Sequence, residues 1–305
     1  MPGLDAFKPL KLEDKERVTA FFRAHPPVTS ELTFTNLFMW QHVYHPRWTV
    51  VEGCLVFKCG PGEEPGDQYF LPPVGERPLD AVQALCRVGR ERGEPTRFER
   101  VPEELAQRVR RLPGLDCEVK LDRNNSDYLY SLEKLLTLTG GKLKSKRKLY
   151  QRFRRAHPDF KVKTCETVDV EDCRAVQDKW YGSLALNDDP SLELEHEAVQ
   201  RIFDHHDELD FEGVLIFVGG EPVAFTFGEA LNPTTVVIHV EKADLRFKGA
   251  YQAVSVLFLE MSQCAKGKTH VNREQDLGLP GLRKAKLSYD PEYLVHKYVV
   301  REKGV

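Results

Sequence analysis

The chain has 305 residues with a net charge of -3, and 41% of its residues are apolar and 30% are charged. This length exceeds what one compact core usually serves and predicts two domains. The small negative charge argues against a nucleic-acid coat protein, so a polyanion site would have to be local. Since no apolar run approaches the roughly 20 residues that span a bilayer, and no signal-peptide core is present, the sequence predicts a cytoplasmic protein.

The seven cysteines are scattered and contain no C-x-x-C pair, which argues against a disulfide scaffold or a zinc ribbon. His239, Glu241, Glu274 and Asp276 could be drawn as a metal cluster, but they contain a single histidine and no helix carries H-x-x-x-H. The DHHD run at residues 204–207 cannot converge on one ion, because consecutive helical residues diverge by roughly 100°. The sequence therefore predicts no metal site.

The first half of the chain alternates helical and strand patterns. Helices are predicted over residues 11–25, in SELTFTNLFMW with a cap at Thr29 or Ser30, in LDAVQALCRVGRERG before Gly93, and in PEELAQRVRRL after Pro102. Strands are predicted in TVVEGCLVFKC, DQYFLPPVG, TRFERV, DCEVKLD and DYLYSL.

A second unit begins near Gly140-Gly141 with a basic helix, followed by the strand KVKTCETV and the helices DVEDCRAVQDKWYGSLA and LEHEAVQRIFDHHDEL. Two β runs meet across Gly219-Gly220, which predicts a hairpin. The strand VVIHVEKA then passes through the turn RFKGA into a long apolar helix, and the strand KTHVNRE, the helix GLPGLRKAKLSYD and the strand EYLVHKYVV complete the chain.

This element order resembles the core of the GCN5-related N-acetyltransferase (GNAT) fold. There, the turn after the fourth strand binds pyrophosphate, often with the pattern Q/R-x-x-G-x-G/A, and a helix start suits phosphate through its unpaired N–H groups. Arg246, Lys248 and Gly249 resemble the first positions, whereas Tyr251 stands in place of the last small residue. The resemblance implies a cofactor phosphate site at Arg246, Lys248, Gly249 and Ala250, and a plain surface turn is the alternative.

Longer phrases resemble one family: SELTFTNLFMW, GGKLKSKRKLYQRFRRAHPDF, EPVAFTFGEAL and VNREQDLGLPGLRKAKLSYDP. They are similar to the DUF2156 family, which is related to the soluble C-terminal domain of phosphatidylglycerol lysyltransferases. The resemblance implies an α+β fold of two tandem GNAT-like (acyl-CoA N-acyltransferase) domains with mixed central sheets. We expect the first over residues 1–139 and the second, with the active cleft, over residues 140–305.

Characterised relatives of this family move an aminoacyl group from tRNA to a lipid or peptide amine or hydroxyl. The resemblance therefore implies an acyltransferase with aminoacyl-tRNA or acyl-CoA as donor substrate. The lipid lysyltransferases carry a multi-span membrane region ahead of this domain, which this sequence does not contain. Small molecules, peptides and lipid head groups stay open as acceptors. A non-catalytic binding or regulatory module on the same fold is a further alternative.

The helix that follows Gly140 is strongly basic and contains no acidic residue before Pro158. Like charges on one helix repel unless a partner relieves them, and phosphates of tRNA or of a nucleotide-bearing cofactor would do so. A solvated face or an inter-domain role is the alternative. The candidate polyanion contacts are Lys144, Lys146, Arg147 and Arg152.

The predicted strand VVIHVEKA places His239 and Glu241 on one face, since side chains alternate along a strand. Asn272 and Glu274 repeat this spacing on the next strand. In the GNAT fold these strands splay and the acyl thioester lies between them, so Glu241 or Glu274 could act as general base, with His239 and Asn272 as substrate contacts. The alternative is that the acids form structural ion pairs with Lys242, Arg273 or the basic helix.

The helix GLPGLRKAKLSY offers Arg283 and Lys286 behind a Gly-Leu-Pro-Gly turn, where a helix start suits an anionic ligand. Tyr289 follows at a place similar to where many acetyltransferases carry a tyrosine that protonates the leaving thiolate. The resemblance thus implies that Tyr289 is a catalytic acid, and a buried structural tyrosine is the alternative.

Overall fold

The computed structural model describes residues 7–62, 67–164, 170–184 and 190–303. The chain forms two compact units. The first contains Met1–Asp127, Gln275–Gly278 and Leu294–Val305, and the second contains Tyr128–Glu274 and Leu279–Tyr293. The division into domains at residue 139 stays a prediction.

Helices and strands alternate through the first half of the described chain. Their order is β1 (Lys8–Pro9), α1 (Lys15–Ala24), α2 (Phe34–Met39), α3 (Gln41–Tyr44), β2 (Arg47–Val51), β3 (Cys54–Cys59), β4 (Tyr69–Phe70), α4 (Pro78–Arg92), β5 (Arg97–Pro102), α5 (Glu103–Arg110), β6 (Cys117–Leu121), β7 (Asp127–Ser131) and α6 (Leu132–Thr137).

The second half begins with the predicted basic helix. Its elements are α7 (Lys144–Ala156), β8 (Lys161–Thr164), α8 (Val170–Leu184), α9 (Pro190–Asp204), β9 (Glu212–Val218), β10 (Glu221–Asn232), β11 (Thr235–Ala243), α10 (Ala250–Met261), β12 (His270–Asn272), α11 (Pro280–Leu287), β13 (Tyr293–Val295) and β14 (Lys297–Glu302). Residues 165–169, the end of the predicted strand KVKTCETV, lie outside the described residues.

The helix boundaries follow local capping chemistry. α4 ends at Gly93, whose φ of 67° is the left-handed conformation that glycine adopts easily. The predicted cap of α2 at Thr29 or Ser30 is wrong, because the Thr33 side chain caps the helix by accepting a hydrogen bond from the Asn36 amide at 3.1 Å. The Ser30 amide and hydroxyl instead donate to Asp127, each at 2.9 Å.

Among the described residues, the strands form two seven-stranded sheets. The order is β1-β2-β3-β4-β5-β14-β6 in the first and β13-β7-β12-β11-β10-β9-β8 in the second. β4 pairs with β5 and β11 pairs with β12 in parallel. The pairs β2-β3, β5-β14 and β14-β6 in the first sheet and β7-β12, β11-β10 and β10-β9 in the second are antiparallel. Both sheets are therefore mixed, as predicted.

The core of the second unit accounts for the apolar composition of its most apolar helix, α10. Phe203 packs on Phe225 and Phe227 of β10, with ring centroids 5.7 and 5.8 Å apart. α10 is apolar almost all round and buried along most of its length, as expected for a helix covered on every side. A buried helix of this kind fixes the position of its few polar side chains.

The functional candidates lie where two strands part. β11 and β12 pair from Thr235 with His270 to Val237 with Asn272, whereas β11 continues to Ala243 beside β10. The later residues of β11 therefore extend beyond the end of β12. This placement agrees with the splayed strands that the resemblance to the GNAT fold implies.

Candidate active site

Glu241 holds a buried carboxylate oxygen that has no hydrogen bond within the described part of the chain. Its Oε1 lies 2.6 Å from Nη2 of Arg273, whereas its Oε2 is buried and unpartnered, and the side chain is only 9% exposed. Burial of a polar atom without a partner costs free energy. Oε2 is therefore the atom of this cluster that would gain most from a bound ligand.

Arg273 joins this carboxylate to two aromatic rings. Its guanidinium carbon lies 4.6 Å from the centroid of Tyr289 and 5.9 Å from that of Tyr130. Burial by itself would lower the pKa of Arg273, but the charge of Glu241 together with Tyr289 and Tyr130 outweighs burial and raises the pKa. Arg273 is thus a fixed cation that neutralises one side of Glu241.

Tyr289 is a buried phenol arranged as a proton donor. Its hydroxyl accepts a hydrogen bond from Nε2 of Gln252, a polar residue of α10, at 2.7 Å. Burial raises the pKa of Tyr289, although Arg273 acts in the opposite direction. The phenol therefore keeps its proton at neutral pH, and because Gln252 supplies the hydrogen in their shared bond, that proton remains available.

The basic helix contributes one side chain to the same cluster. Nζ of Lys146 lies 4.2 Å from the ring centroid of Tyr289. Burial and then the charge of Arg273 lower the pKa of Lys146, and the charge of Glu241 opposes them. The second unit thus brings together Glu241, Tyr289 and Lys146 from the predicted residues, with Arg273 between the first two.

Glu274 and His239 form a separate ionic group. His239 contacts Glu229 through Nε2 at 2.8 Å and Glu274 through Nδ1 at 2.9 Å, and its side chain is 1% exposed. Burial alone would lower the pKa of His239, but the two carboxylates raise it to about 9. Fully buried Asn272 accepts a hydrogen bond from the Glu274 amide at 2.8 Å. The catalytic role of Glu274 and the substrate roles of His239 and Asn272 stay predictions.

The turn before α10 is engaged within the protein. The exposed Arg246 side chain binds Asp244 at 2.6 Å and Glu221 at 2.7 Å. The amides of Arg246 and Phe247 donate to Asp244, and the amide of Ala250 donates to the carbonyl of Phe247. Much of the hydrogen-bonding capacity expected for a phosphate is therefore already used.

Gly249 has a structural explanation of its own. It adopts a φ of 98°, and a β-carbon there would lie 2.2 Å from the carbonyl oxygen of Leu149 and 3.1 Å from Cβ of Phe153. A glycine is required because α7 approaches the backbone this closely. The cofactor role of Arg246, Lys248, Gly249 and Ala250 stays a prediction.

The other cationic residues predicted as ligand contacts differ in their surroundings. Lys144, Lys148 and Arg152 are exposed on α7, whereas Arg147 donates to the carbonyl of Leu138 at 2.9 Å. On α11, Lys286 binds the carbonyl of Arg273. Arg283 is half-buried there.

Sequence reasoning missed Gln252 and Tyr130, and it treated Arg273 only as an alternative partner of Glu241. Gln252 could have been found as the single amide side chain inside a mostly apolar helix. Lys242, also considered as a partner, instead contacts Glu195 at 2.8 Å and lies over the ring of Trp180.

Two properties of the described residues bear on the class of protein. No group of three or more histidines, cysteines and acids in them is placed to hold a metal ion. No helix in the same residues has the length and hydropathy needed to cross a bilayer.

The chain has relatives of known structure. It is 30% identical to a conserved protein of unknown function from Bacteroides thetaiotaomicron, with a TM-score of 0.88 over 98% of this chain and 99% of that one. The structure of L-PGS from Bacillus licheniformis is 16% identical, with a TM-score of 0.66 over 100% of this chain and 95% of that one. The predicted fold class, α+β with tandem GNAT-like domains on mixed sheets, is confirmed.

A curated relative, the uncharacterized protein MYCGA3080 of Mycoplasmoides gallisepticum, is 25% identical over 191 residues. The match covers 61% of this chain and 59% of the length of that relative. Residues 22–301 match the family described as phosphatidylglycerol lysyltransferase, C-terminal. The chain therefore belongs to the family of phosphatidylglycerol lysyltransferase C-terminal domains, DUF2156, as its sequence phrases predicted.

Proposed function

We propose that this protein is an acyltransferase that moves an aminoacyl group from aminoacyl-tRNA to an amine or hydroxyl acceptor. The family supports acyl transfer, and the observation that carries the proposal is the buried, unpartnered Oε2 of Glu241. A carboxylate oxygen near a protonated phenol, Tyr289, can serve as one half of a base and acid pair. The acceptor would be a small molecule, a peptide or a lipid head group.

The proposed reaction balances with these two groups. Oε2 of Glu241 takes the proton of the acceptor as its nitrogen or oxygen attacks the ester carbonyl and forms the new bond. The bond to the ribose oxygen of the tRNA then breaks, and Tyr289 donates its proton to that oxygen. Transfer of the proton from Glu241 to the phenolate, through solvent, restores the protein. Holding two reactants together supplies much of the rate, because an intermolecular step becomes effectively intramolecular.

The geometry favours tRNA over coenzyme A as the donor. Lys144, Lys148 and Arg152 are exposed on α7, where they can meet phosphates. The turn that would hold the pyrophosphate of coenzyme A is instead packed by Leu149 against Gly249. This packing supports a donor that is bound through the helix surface.

The test uses tRNA charged with radiolabelled lysine or alanine and a panel of acceptors: ethanolamine, a short peptide and vesicles containing phosphatidylglycerol. We expect the label to move to one acceptor faster than in reactions without protein. Acetyl transfer from acetyl-CoA, with no transfer from tRNA, would replace the proposal by a CoA-dependent N-acyltransferase. Ligand binding without any turnover would indicate a binding module.

A further inference from the structure

Helix α7 packs against the rest of the second unit through one face. Leu149 approaches Gly249, and Phe153 is fully buried, with its ring 5.5 Å from that of Phe160. Residues three, four or seven positions apart share a helix face. Lys146 precedes Leu149 by three positions and Phe153 by seven, so the same packing directs Lys146 inward.

The ammonium of Lys146 carries donors that the protein does not use. It lies against the ring of Tyr289 and makes no hydrogen bond to any residue that the structure describes. Arg273 and Glu241 pair with each other at 2.6 Å, so their charges offset. Lys146 therefore adds one net positive charge and free N–H groups to the cluster.

Building on the proposed aminoacyl transfer, we propose that Lys146 is a catalytic residue that binds the oxyanion formed when the acceptor attacks the ester. The carbonyl oxygen and the leaving oxygen share one carbon, so a group that stabilises the first must lie close to the acid that protonates the second. Lys146 meets this condition, because its ammonium contacts the ring of Tyr289. Donors aimed at a developing charge lower the barrier more than they strengthen substrate binding.

This assignment gives α7 two functions on two faces. Lys144 and Lys148, two positions before and after Lys146, are exposed and would contact the tRNA phosphates. Lys146 itself would act at the reacting carbonyl. The helix thus links recognition of the donor to the chemistry performed on it.

The first test compares Lys146→Met, Lys146→Arg and Lys148→Met in steady-state transfer from charged tRNA. We expect Lys146→Met to lower kcat about 100-fold while KM for the charged tRNA changes less than about threefold. Lys146→Arg should restore part of kcat, because it keeps the charge. Lys148→Met removes the same charge from the outward face and should raise KM. A loss in Lys146→Met confined to KM, like that of Lys148→Met, would overturn the proposal.

A second measurement does not depend on turnover. An adenosine 3′-ester of an aminoalkylphosphonate is tetrahedral and anionic at the position of the oxyanion, whereas a 3′-aminoacylamino adenosine is planar and neutral there. Wild-type protein should bind the phosphonate about 100-fold more tightly than Lys146→Met does, with little difference for the planar probe. Equal affinities for the phosphonate would overturn the role of Lys146 and leave the proposed function standing. If wild-type protein neither transfers nor binds either probe, both proposals fail.

Discussion

Gly249 and Leu149 are in direct backbone contact: a β-carbon at Gly249 would lie 2.2 Å from the carbonyl oxygen of Leu149. The obstructing atoms are main-chain atoms of a helix and cannot rotate away as a side chain could. The contact fixes the position of α7 and, through it, that of Lys146.

Replacing Gly249 by alanine should therefore destabilise the protein. We expect a loss of at least about 2 kcal/mol in the free energy of unfolding, from the clash and from the positive φ. Urea denaturation measures this loss of unfolding free energy. Gly267→Ala is the matched control, because Gly267 has a φ of 73° with no atom within 4 Å of the added carbon. Equal losses in the two variants would mean that the helix contact contributes nothing.

Lys297 is expected to be the most sensitive cation of the first unit. Its ammonium lies 2.6 Å from Asp127 and 2.7 Å from Glu31, and the side chains of Lys297 and Asp127 are fully buried. Lys297→Met should cost about 3–5 kcal/mol, because it removes the ammonium that pairs with the fully buried carboxylate of Asp127. Lys303→Met, which breaks the exposed pair with Asp116, should cost less than about 1 kcal/mol in the same denaturation experiment.

Substitutions of Glu241 and Glu274 should have different effects on transfer and on stability. Glu241→Gln is expected to lower kcat for aminoacyl transfer by about 100-fold or more, because it removes the proposed base. Glu274→Gln removes a carboxylate from buried His239 and should mainly lower the free energy of unfolding. Transfer rates and denaturation curves of both variants distinguish the catalytic role from the structural one. A greater loss of kcat in Glu274→Gln would assign the base to Glu274.

His239 should make stability depend on pH. Its pKa rises from an ordinary value of 6.5 to about 9 in the folded protein. The folded state therefore binds its proton more tightly, and the resulting stabilisation is complete below pH 6.5 and is lost as the pH rises through 9. We expect a decrease of about 3 kcal/mol across this window, absent in His239→Gln. An NMR titration that places the imidazole near its ordinary pKa would contradict this prediction.

The outward face of α7 should control the salt dependence of tRNA binding. Replacing Lys144, Lys148 and Arg152 together by glutamine is expected to reduce the slope of log K against log salt by about 2–3, if each contacts one phosphate. Filter binding between 50 and 300 mM salt, roughly the range in which such slopes are linear, measures it. Lys120→Gln removes an exposed cation from β6 and should leave the slope unchanged.

Local signals predicted the part of the fold that presents the site. The strand over residues 236–243 and the helix after Gly249 were correctly predicted, because periodicity and turn residues act within a few positions of the chain. The hairpin across Gly219-Gly220 was predicted for the same reason. These elements carry Glu241 and Gln252.

Long-range pairing could not be predicted. EYLVHKYVV was interpreted as one final strand, but it divides at His296 into β13 and β14, which join different sheets. Likewise, the contact between Glu241 and Arg273 joins residues 32 positions apart. Such contacts depend on how distant segments meet, and periodicity carries no information about that.

The position of β14 has a consequence for how the protein is made. This last strand lies inside the first sheet, between β5 and β6, where Val300 faces Phe98 on one side and Val119 on the other. The N-terminal segments therefore cannot complete their sheet during translation until residues 297–302 have left the ribosome. Until then β5 and β6 keep unpaired edges, so nascent chains should rely on chaperones to avoid pairing with one another.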